Sequence, residues 1–326
     1  MPLSYFQCSE CGQCFAPDEV TYNCLTCGGN LDTHFSFEEN PVEIDLSAIL
    51  QSKEASIWRY APLLAAPDPG FNQTPLHQVG WTPVYRPESL QKSLGMRELW
   101  IKDESRNPSA SFKDRASALV IARAIEADIE TIIAASTGNA GAAMACVAAS
   151  VGKKAVIIAP RSAPPAKVAQ LLTFGAEVVL VDGTYDQAFD LSIEASDELG
   201  WYNRNTGYNP YTVEGKKTAG LEIWEQVLLN RDQFDQNMTV FIPVGDGNIL
   251  SGVAKGFADL LALGWIERLP RLVGVQAEGS AAIFNAFTAG KDVIEPVSAK
   301  TVADSISVDL PRDGLRALKR VKQSGG

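Results

Sequence analysis

From about residue 97 onward the hydrophobic positions of this chain alternate between two periods. Short apolar runs (Thr131–Ala135, Ala155–Ala159, Glu177–Val181, Thr239–Val244 and Arg271–Gln276) read as strands, and Glu98–Lys102 opens the series as another. Between them lie longer stretches with apolar residues at helical spacing: Phe112 to about Ala127, Ala140–Ser150, Pro165–Phe174, Tyr185–Leu199, Ile249–Leu263 and Leu315–Lys322. Strands this short, alternating with helices, predict an α/β fold whose parallel strands are covered by helices on both faces. No apolar run approaches the roughly 20 residues that a membrane-spanning helix requires.

The first part of the chain follows another pattern. Residues 1–35 carry five of the six cysteines, with Gly12, Gly28 and Gly29 as turn markers. A connector follows, in which Pro62, Pro67, Pro69, Gly70 and Thr74-Pro75-Leu76 disfavour regular helix and predict a segment draped over the body. Within it Trp58-Arg59-Tyr60 reads as packing against that body. Charge narrows the partners. With 28 Lys and Arg against 39 Asp and Glu, the formal net charge is −11, which argues against nucleic acid or an anionic membrane. The start has neither a basic segment nor an apolar one of the secretory kind, so the expected location is cytoplasmic.

In a cytosolic protein clustered cysteines point to metal rather than disulfides. Cys8-x2-Cys11 and Cys24-x2-Cys27, separated by twelve residues, can present four thiolates tetrahedrally, the signature of a structural zinc ribbon. Cys14 also forms a valid knuckle with Cys11, but each chosen pair is followed by glycine. A redox pair, or cysteines packed as small hydrophobes, are the competing readings. His34 reads as a solvated histidine just past the ribbon.

Three further segments carry candidate chemistry. Lys113 falls in the first turn of a helix, after N-cap candidates Ser109 and Ser111. A cation there is disfavoured by the exposed N–H groups, which lowers a lysine pKa and suits an amine nucleophile; the plain alternative is a surface lysine balanced by Asp114. Strand Thr131–Ala135 runs into Ser136-Thr137-Gly138-Asn139, and strand Thr239–Val244 into Gly245-Asp246-Gly247-Asn248. Both loops converge backbone amides at a helix N-terminus, a ready anion site. Neither has dinucleotide-fold or P-loop spacing, and no G-x-S-x-G elbow supports a hydrolase.

Ser111-Phe112-Lys113-Asp114-Arg115, Ser136-Thr137-Gly138-Asn139 and Val244-Gly245-Asp246-Gly247-Asn248-Ile249, in that order and spacing, resemble the fold-type II pyridoxal-phosphate (PLP) enzymes. The S-F-K-D-R form and the Asn209–Thr218 run resemble the threonine synthases, some of which carry a similar ribbon. The resemblance implies Lys113 as Schiff-base lysine and general base, Asn139 as partner of the cofactor's 3′ oxygen, and Gly245, Asp246, Gly247, Asn248 and Ile249 as its phosphate cup. It implies Ser136, Thr137 and Gly138 on the substrate carboxylate and part of its distal phosphate, and Asp304–Ser307 lining the pocket. The expected reaction converts O-phosphohomoserine and water to threonine and phosphate.

Many of the relatives have an arginine shortly after the Asn-Pro pair to grip the substrate phosphate, where this chain has Tyr211 and Thr212; Lys217, Lys216 and Arg204 are the candidate substitutes. The Ser or Thr contact to the pyridine nitrogen, expected late in the chain, has no counterpart before Gly326, so the sequence reads as a fragment.

The expected organisation is a ribbon at 1–35, a small lobe at 105–205, and a large PLP-binding lobe from 36–104 plus 206–326. A homodimer is left open. The rivals are another fold-type II activity (a threonine or serine dehydratase, or a cysteate or cysteine synthase) and a truncated, non-catalytic PLP-binding relative.

Overall fold

The computed structural model describes residues 3–39, 44–229 and 238–326; Met1, Pro2 and the parts of the expected large lobe at 40–43 and 230–237 lie outside the described residues. Strands β1 (Leu3–Cys8), β2 (Cys14–Phe15) and β3 (Leu31–Phe35) form an antiparallel sheet in the order β2-β1-β3. Its inner face buries Phe6, Leu31 and Phe35, and Tyr5 stacks on His34 with ring centroids 4.6 Å apart. The short helix α1 (Ser36–Glu39) ends the module.

The connector carries α2 (Leu46–Gln51), whose first turn is capped by Asp45, and a 3-10 segment at Ile57–Leu63. Trp58 and Tyr60 are buried there, and the Tyr60 hydroxyl donates to Glu225 at 2.6 Å, which bears out the packing expected of this cluster. Strand β4 (Val84–Tyr85), helix α3 (Glu88–Ser93) and strand β5 (Ile101–Lys102) follow. The strand expected over Glu98–Lys102 is reduced to its last two residues, because only Ile101 and Lys102 find partners, Tyr85 and Val84.

From Lys113 to Leu199 the alternation runs as expected, within one or two residues at each boundary, and Tyr202–Asn203 is an added strand that the hydrophobic pattern did not show. Helix α4 (Lys113–Glu126), β6 (Thr131–Ala135), α5 (Asn139–Ser150), β7 (Lys154–Pro160), α6 (Pro165–Thr173), β8 (Glu177–Val181), α7 (Tyr185–Leu199) and β9 (Tyr202–Asn203) build a parallel four-stranded sheet. Its order is β8-β7-β6-β9, and every residue of β6 is buried. Because β6 is central, its C-terminal end delivers the Ser136–Asn139 loop to the middle of the molecule. Helix α8 (Tyr211–Ile223) follows, continuing through a π turn at Trp224–Leu228. Then come β10 (Thr239–Pro243), α9 (Asn248–Ala262), β11 (Arg271–Val275), α10 (Ala282–Thr288) and α11 (Gly314–Gln323). Strands β10 and β11 pair in parallel as a second, two-stranded sheet.

Helix α8 has no counterpart in the hydrophobic pattern, yet it is buried from Tyr211 to Glu222. It packs on α4 on one side and α9 on the other, at glycine contacts. A Cβ on Gly215 would lie 2.1 Å from the Arg115 carbonyl oxygen, and one on Gly256 of α9 would lie 2.3 Å from that of Lys217. Backbones this close leave no room for a side chain. The charged residues of α8 are therefore interior and must find partners there.

Candidate active site

Lys113 is the first residue of α4, and its N–H donates to the Ser111 hydroxyl at 3.2 Å. Ser111 thus does the capping in part; Ser109 does not, since its N–H donates to Asp114 at 2.7 Å. Asp114 is occupied with that turn, and burial raises its carboxyl to about 6. Burial lowers the Lys113 ammonium below the usual lysine range and the Arg204 guanidinium lowers it further, with Asp246 opposing. The residue is half-buried.

What holds this turn was not evident from the motif. Arg115, fully buried, donates to Glu104 at 2.7 Å, to Thr218 at 2.9 Å and to Glu222 at 2.8 Å. Glu222 in turn meets Lys102 at 2.6 Å and accepts the Trp81 N–H at 2.8 Å. The arginine of the S-F-K-D-R run therefore bolts the start of α4 to α8 and to the connector.

In the second loop the Ser136 hydroxyl accepts from the Gly138 and Gly141 amides at 3.2 and 2.9 Å, so it shapes the turn and leaves Thr137 and Gly138 facing outward. Asn139 donates to Ser305 at 3.2 Å. The third loop meets the same turn, for a Cβ on Gly245 would lie 2.9 Å from Ile306 Cα. Asn139 and the Gly245–Ile249 loop are thereby brought to one place, with Asp304–Ser307 between them.

The Gly245–Ile249 loop is a tight cradle. Gly247 has φ +96, and a Cβ there would lie 2.7 Å from the Asp313 carbonyl oxygen. Asp246 accepts the Arg312 N–H at 2.6 Å, and burial lifts its carboxyl to about 6. Helix α9 begins at Asn248 without a side-chain cap, so its first amides are free of side-chain acceptors. Bare amides at the start of a 15-residue helix, over a floor where only glycine fits, are what a phosphate ester needs.

Three cations were candidates for a second anion, and the structure separates them. Lys217 is fully buried and bridges Glu214 at 2.6 Å and Asp259 at 2.8 Å, over the Phe35 ring. Asp259 lies eleven residues beyond Asn248, about 16 Å along α9, so the Lys217 charge is balanced there, away from the start of the helix. Lys216, its neighbour, donates to Asn248 at 2.6 Å, with an ammonium held well below its usual range by burial, Arg204 and Lys113. Arg204, 1% exposed, donates to Ser117 at 3.2 Å and Thr206 at 2.8 Å, and its remaining terminal nitrogen has no partner. Burial pulls its guanidinium down to about 10. Among the described residues no carboxylate pairs with either Lys216 or Arg204. An unneutralised buried guanidinium marks a place for an anion.

At the N-terminus the Sγ atoms of Cys8, Cys11, Cys24 and Cys27 all lie within 4.8 Å of one another, with Cys8–Cys27 at 3.5 Å and Cys11–Cys24 at 3.6 Å. A tetrahedral zinc with bonds of about 2.3 Å sets its sulfurs about 3.8 Å apart, so the four donors fit such an ion. Cys14 stands outside the group, its thiol directed at the Gly12 carbonyl. His34 does not join it either.

A lysine at a helix start, a glycine cradle under bare amides and an asparagine facing them across a shared turn offer an amine, anion-binding N–H groups and a side-chain donor in one place. Residues 76–326 match the family of pyridoxal-phosphate dependent enzymes, and the chain belongs to it. It is 35% identical to the threonine synthase of Methanosarcina acetivorans, over 99% of this chain and 77% of that protein. The threonine synthase of Methanocaldococcus jannaschii is likewise 35% identical, over 98% of this chain and 77% of the relative. Among solved structures, maize serine racemase superposes with a TM-score of 0.60 at 27% identity, covering 73% of this chain and 69% of that one. No helix among the described residues is long and apolar enough to cross a membrane.

Proposed function

We propose that this chain is a threonine synthase, converting O-phosphohomoserine and water to threonine and phosphate. The observation that carries the reading is the unneutralised pair Arg204 and Lys216 beside Lys113, which fits a substrate bearing a second phosphoryl group; the two archaeal relatives support the same reaction.

Lys113 Nζ would hold the cofactor covalently, Asn139 would donate to its 3′ oxygen, and the amides of Gly245, Asp246, Gly247, Asn248 and Ile249 would receive its phosphate. When bound, pyridoxal phosphate supplies the electron sink for charge developed at the substrate's α and β carbons. Thr137 and Gly138, in a turn shaped by Ser136, would bind the substrate carboxylate at the start of α5. Arg204 and Lys216 would take its phosphoryl group and stabilise it as it leaves Cγ. Lys113, freed by the incoming amine, would remove the Cα proton and then a Cβ proton, its lowered pKa raising the share of free amine available as base. The two protons removed are matched by two returned, one to Cγ to make the methyl group and one to Cα, with Lys113 as the donor; water supplies the hydroxyl at Cβ and gives up its own proton.

The small lobe at 105–205 would close on the large lobe, 36–104 plus 206–326, excluding water until that step. Cys8, Cys11, Cys24 and Cys27 would hold a structural zinc, and the working location would be the cytoplasm.

The test is an absorbance spectrum of PLP-supplemented protein at about 410–420 nm, for wild type and Lys113→Ala, with phosphate release and threonine formation measured alongside. A band in wild type that is lost in the variant, together with threonine formation from O-phosphohomoserine, is the expected result. A bound cofactor with turnover of serine or threonine, and none of O-phosphohomoserine, would reassign the reaction to a dehydratase.

A further inference from the structure

The cysteine module and the phosphate cradle are far apart in sequence and joined in space by a single carboxylate. Asn30 follows the second knuckle by three residues. Its carbonyl accepts from the Ser9 N–H at 2.9 Å, inside the first knuckle, and Gly29 next to it accepts from the Cys24 N–H at 2.9 Å. Both knuckles therefore fix Asn30. Its side-chain amide donates away from the module, to the Arg312 carbonyl at 2.7 Å and to Asp313 Oδ1 at 3.3 Å. Asp313 is fully buried; its other oxygen accepts from Asn248 at 3.2 Å, and its N–H donates to the Asp246 carbonyl at 3.1 Å. The neighbouring Arg312 N–H holds the Asp246 side chain, and the Asp313 carbonyl forms the wall against Gly247. Three of the five cradle residues thus rest on Arg312-Asp313, which is held by Asn30 and by Arg316, whose Nε donates to Asp313 Oδ1 at 2.6 Å while its Nη1 donates to the Leu31 carbonyl at 2.9 Å; of the two, Asn30 alone also holds the Arg312 carbonyl.

We infer that the four-cysteine module is the outer support of the cofactor-phosphate cradle, with Asn30 as the positioning residue that transmits it through Asp313. Metal bound by the four thiolates would lock the two knuckles and so the direction of the Asn30 amide; cofactor affinity then depends on the module even though none of its residues touches the cofactor. A second line of contacts runs in parallel without reaching the cradle. Lys319 on α11 donates to the Ser9 carbonyl, so Lys319→Ala loosens the same module against the same body and serves as the control.

The inference rests on reading Gly245–Ile249 as the seat of the cofactor phosphate. The experiment is a PLP titration of the full-length apoprotein, followed by absorbance and by the 31P shift of bound cofactor, for wild type, Asn30→Ala and Lys319→Ala. Melting temperatures are recorded in parallel, before and after removal of metal with a chelator. Asn30→Ala is expected to raise the PLP Kd about tenfold, the effect of one lost buried hydrogen bond, and to move the 31P shift. Lys319→Ala is expected to lower the melting temperature with the Kd unchanged. Chelation is expected to raise the Kd of wild type but to add little to that of Asn30→Ala, the non-additivity of two perturbations on one path. Unchanged affinity in Asn30→Ala, or a chelation effect of equal size in both proteins, would overturn the inference. Failure of wild type to bind PLP would instead overturn the reading of the cradle.

Discussion

Glu222→Gln tests whether the turn carrying Lys113 is held electrostatically. Glu222 is 0% exposed and is the shared acceptor of Arg115, Lys102 and the Trp81 N–H. Burial alone would raise its carboxyl, but Arg115 and Lys102 outweigh burial and hold it down at about 2, from 4.5. A depression of that size corresponds to about 3 kcal/mol of stability at neutral pH. That agrees with the 3–5 kcal/mol, roughly, that breaking one side of a buried pair costs. With an unfolding entropy of about 2 cal/mol/K per residue, the melting temperature should fall by about 5 °C. The pH dependence supplies the sign. A carboxylate with a depressed pKa contributes fully above its unfolded value, 4.5, and loses that contribution as pH falls toward 2. Urea unfolding of both proteins should therefore give a gap that is roughly constant from pH 7 to about 5 and reduced to less than about half of that at pH 3. A gap under 1 kcal/mol at pH 7, or one that does not narrow in acid, would refute the electrostatic account of this clamp.

Two further outcomes follow from the site. Arg204→Met should lower kcat/KM for O-phosphohomoserine by about 10- to 100-fold, as expected for a lost charged hydrogen bond, while the cofactor spectrum stays unchanged; it should also raise the melting temperature of the ligand-free protein, since an unneutralised buried charge is removed. A kcat/KM within twofold of wild type would remove Arg204 from the phosphoryl site. Gly247→Ala should lose PLP, because its φ of +96 and the 2.7 Å approach to the Asp313 carbonyl leave a methyl no place; spectral titration checks this, and cofactor affinity equal to wild type would refute the cradle geometry.

The βα rhythm was legible because strands such as β6 are short, continuous apolar runs and their helices keep a clear period. The three loops were legible for a related reason: glycine and small polar residues at strand ends mark places where backbone must converge. Helix α8 was not legible. Its Glu214, Lys216, Lys217 and Glu222 give it the composition of a surface helix, and only the glycine crossings with α4 and α9 reveal that it is interior. The cysteine spacing located the metal-type cluster, but Asn30, whose amide faces the body, carries no local pattern at all. Contacts across more than 280 residues, such as Asn30 to Asp313, are a property of the fold alone.

Counter-charge is what sorts the buried cations into supports and ligand sites. Lys216 and Lys217 are adjacent and chemically identical, but successive residues on a helix point about 100° apart. One turns to Glu214 and Asp259, and with Lys255 on the other oxygen of Asp259 the four charges cancel; the other turns to an amide, has no carboxylate in ion-pair contact and has its ammonium strongly disfavoured beside the cradle. The same contrast separates two buried arginines. Arg115 is surrounded by Glu104 and Glu222 and holds the scaffold, whereas Arg204 has hydroxyl partners only and one nitrogen bare. A fold would not keep Lys216 and Arg204 buried, within reach of Lys113, for stability's sake, since each opposes the other's charge. Asp246, Asp313 and Asp114 offset part of that repulsion without pairing; an entering anion would relieve more of it, and if the cofactor phosphate takes the start of α9, this place suits the substrate's own phosphoryl group.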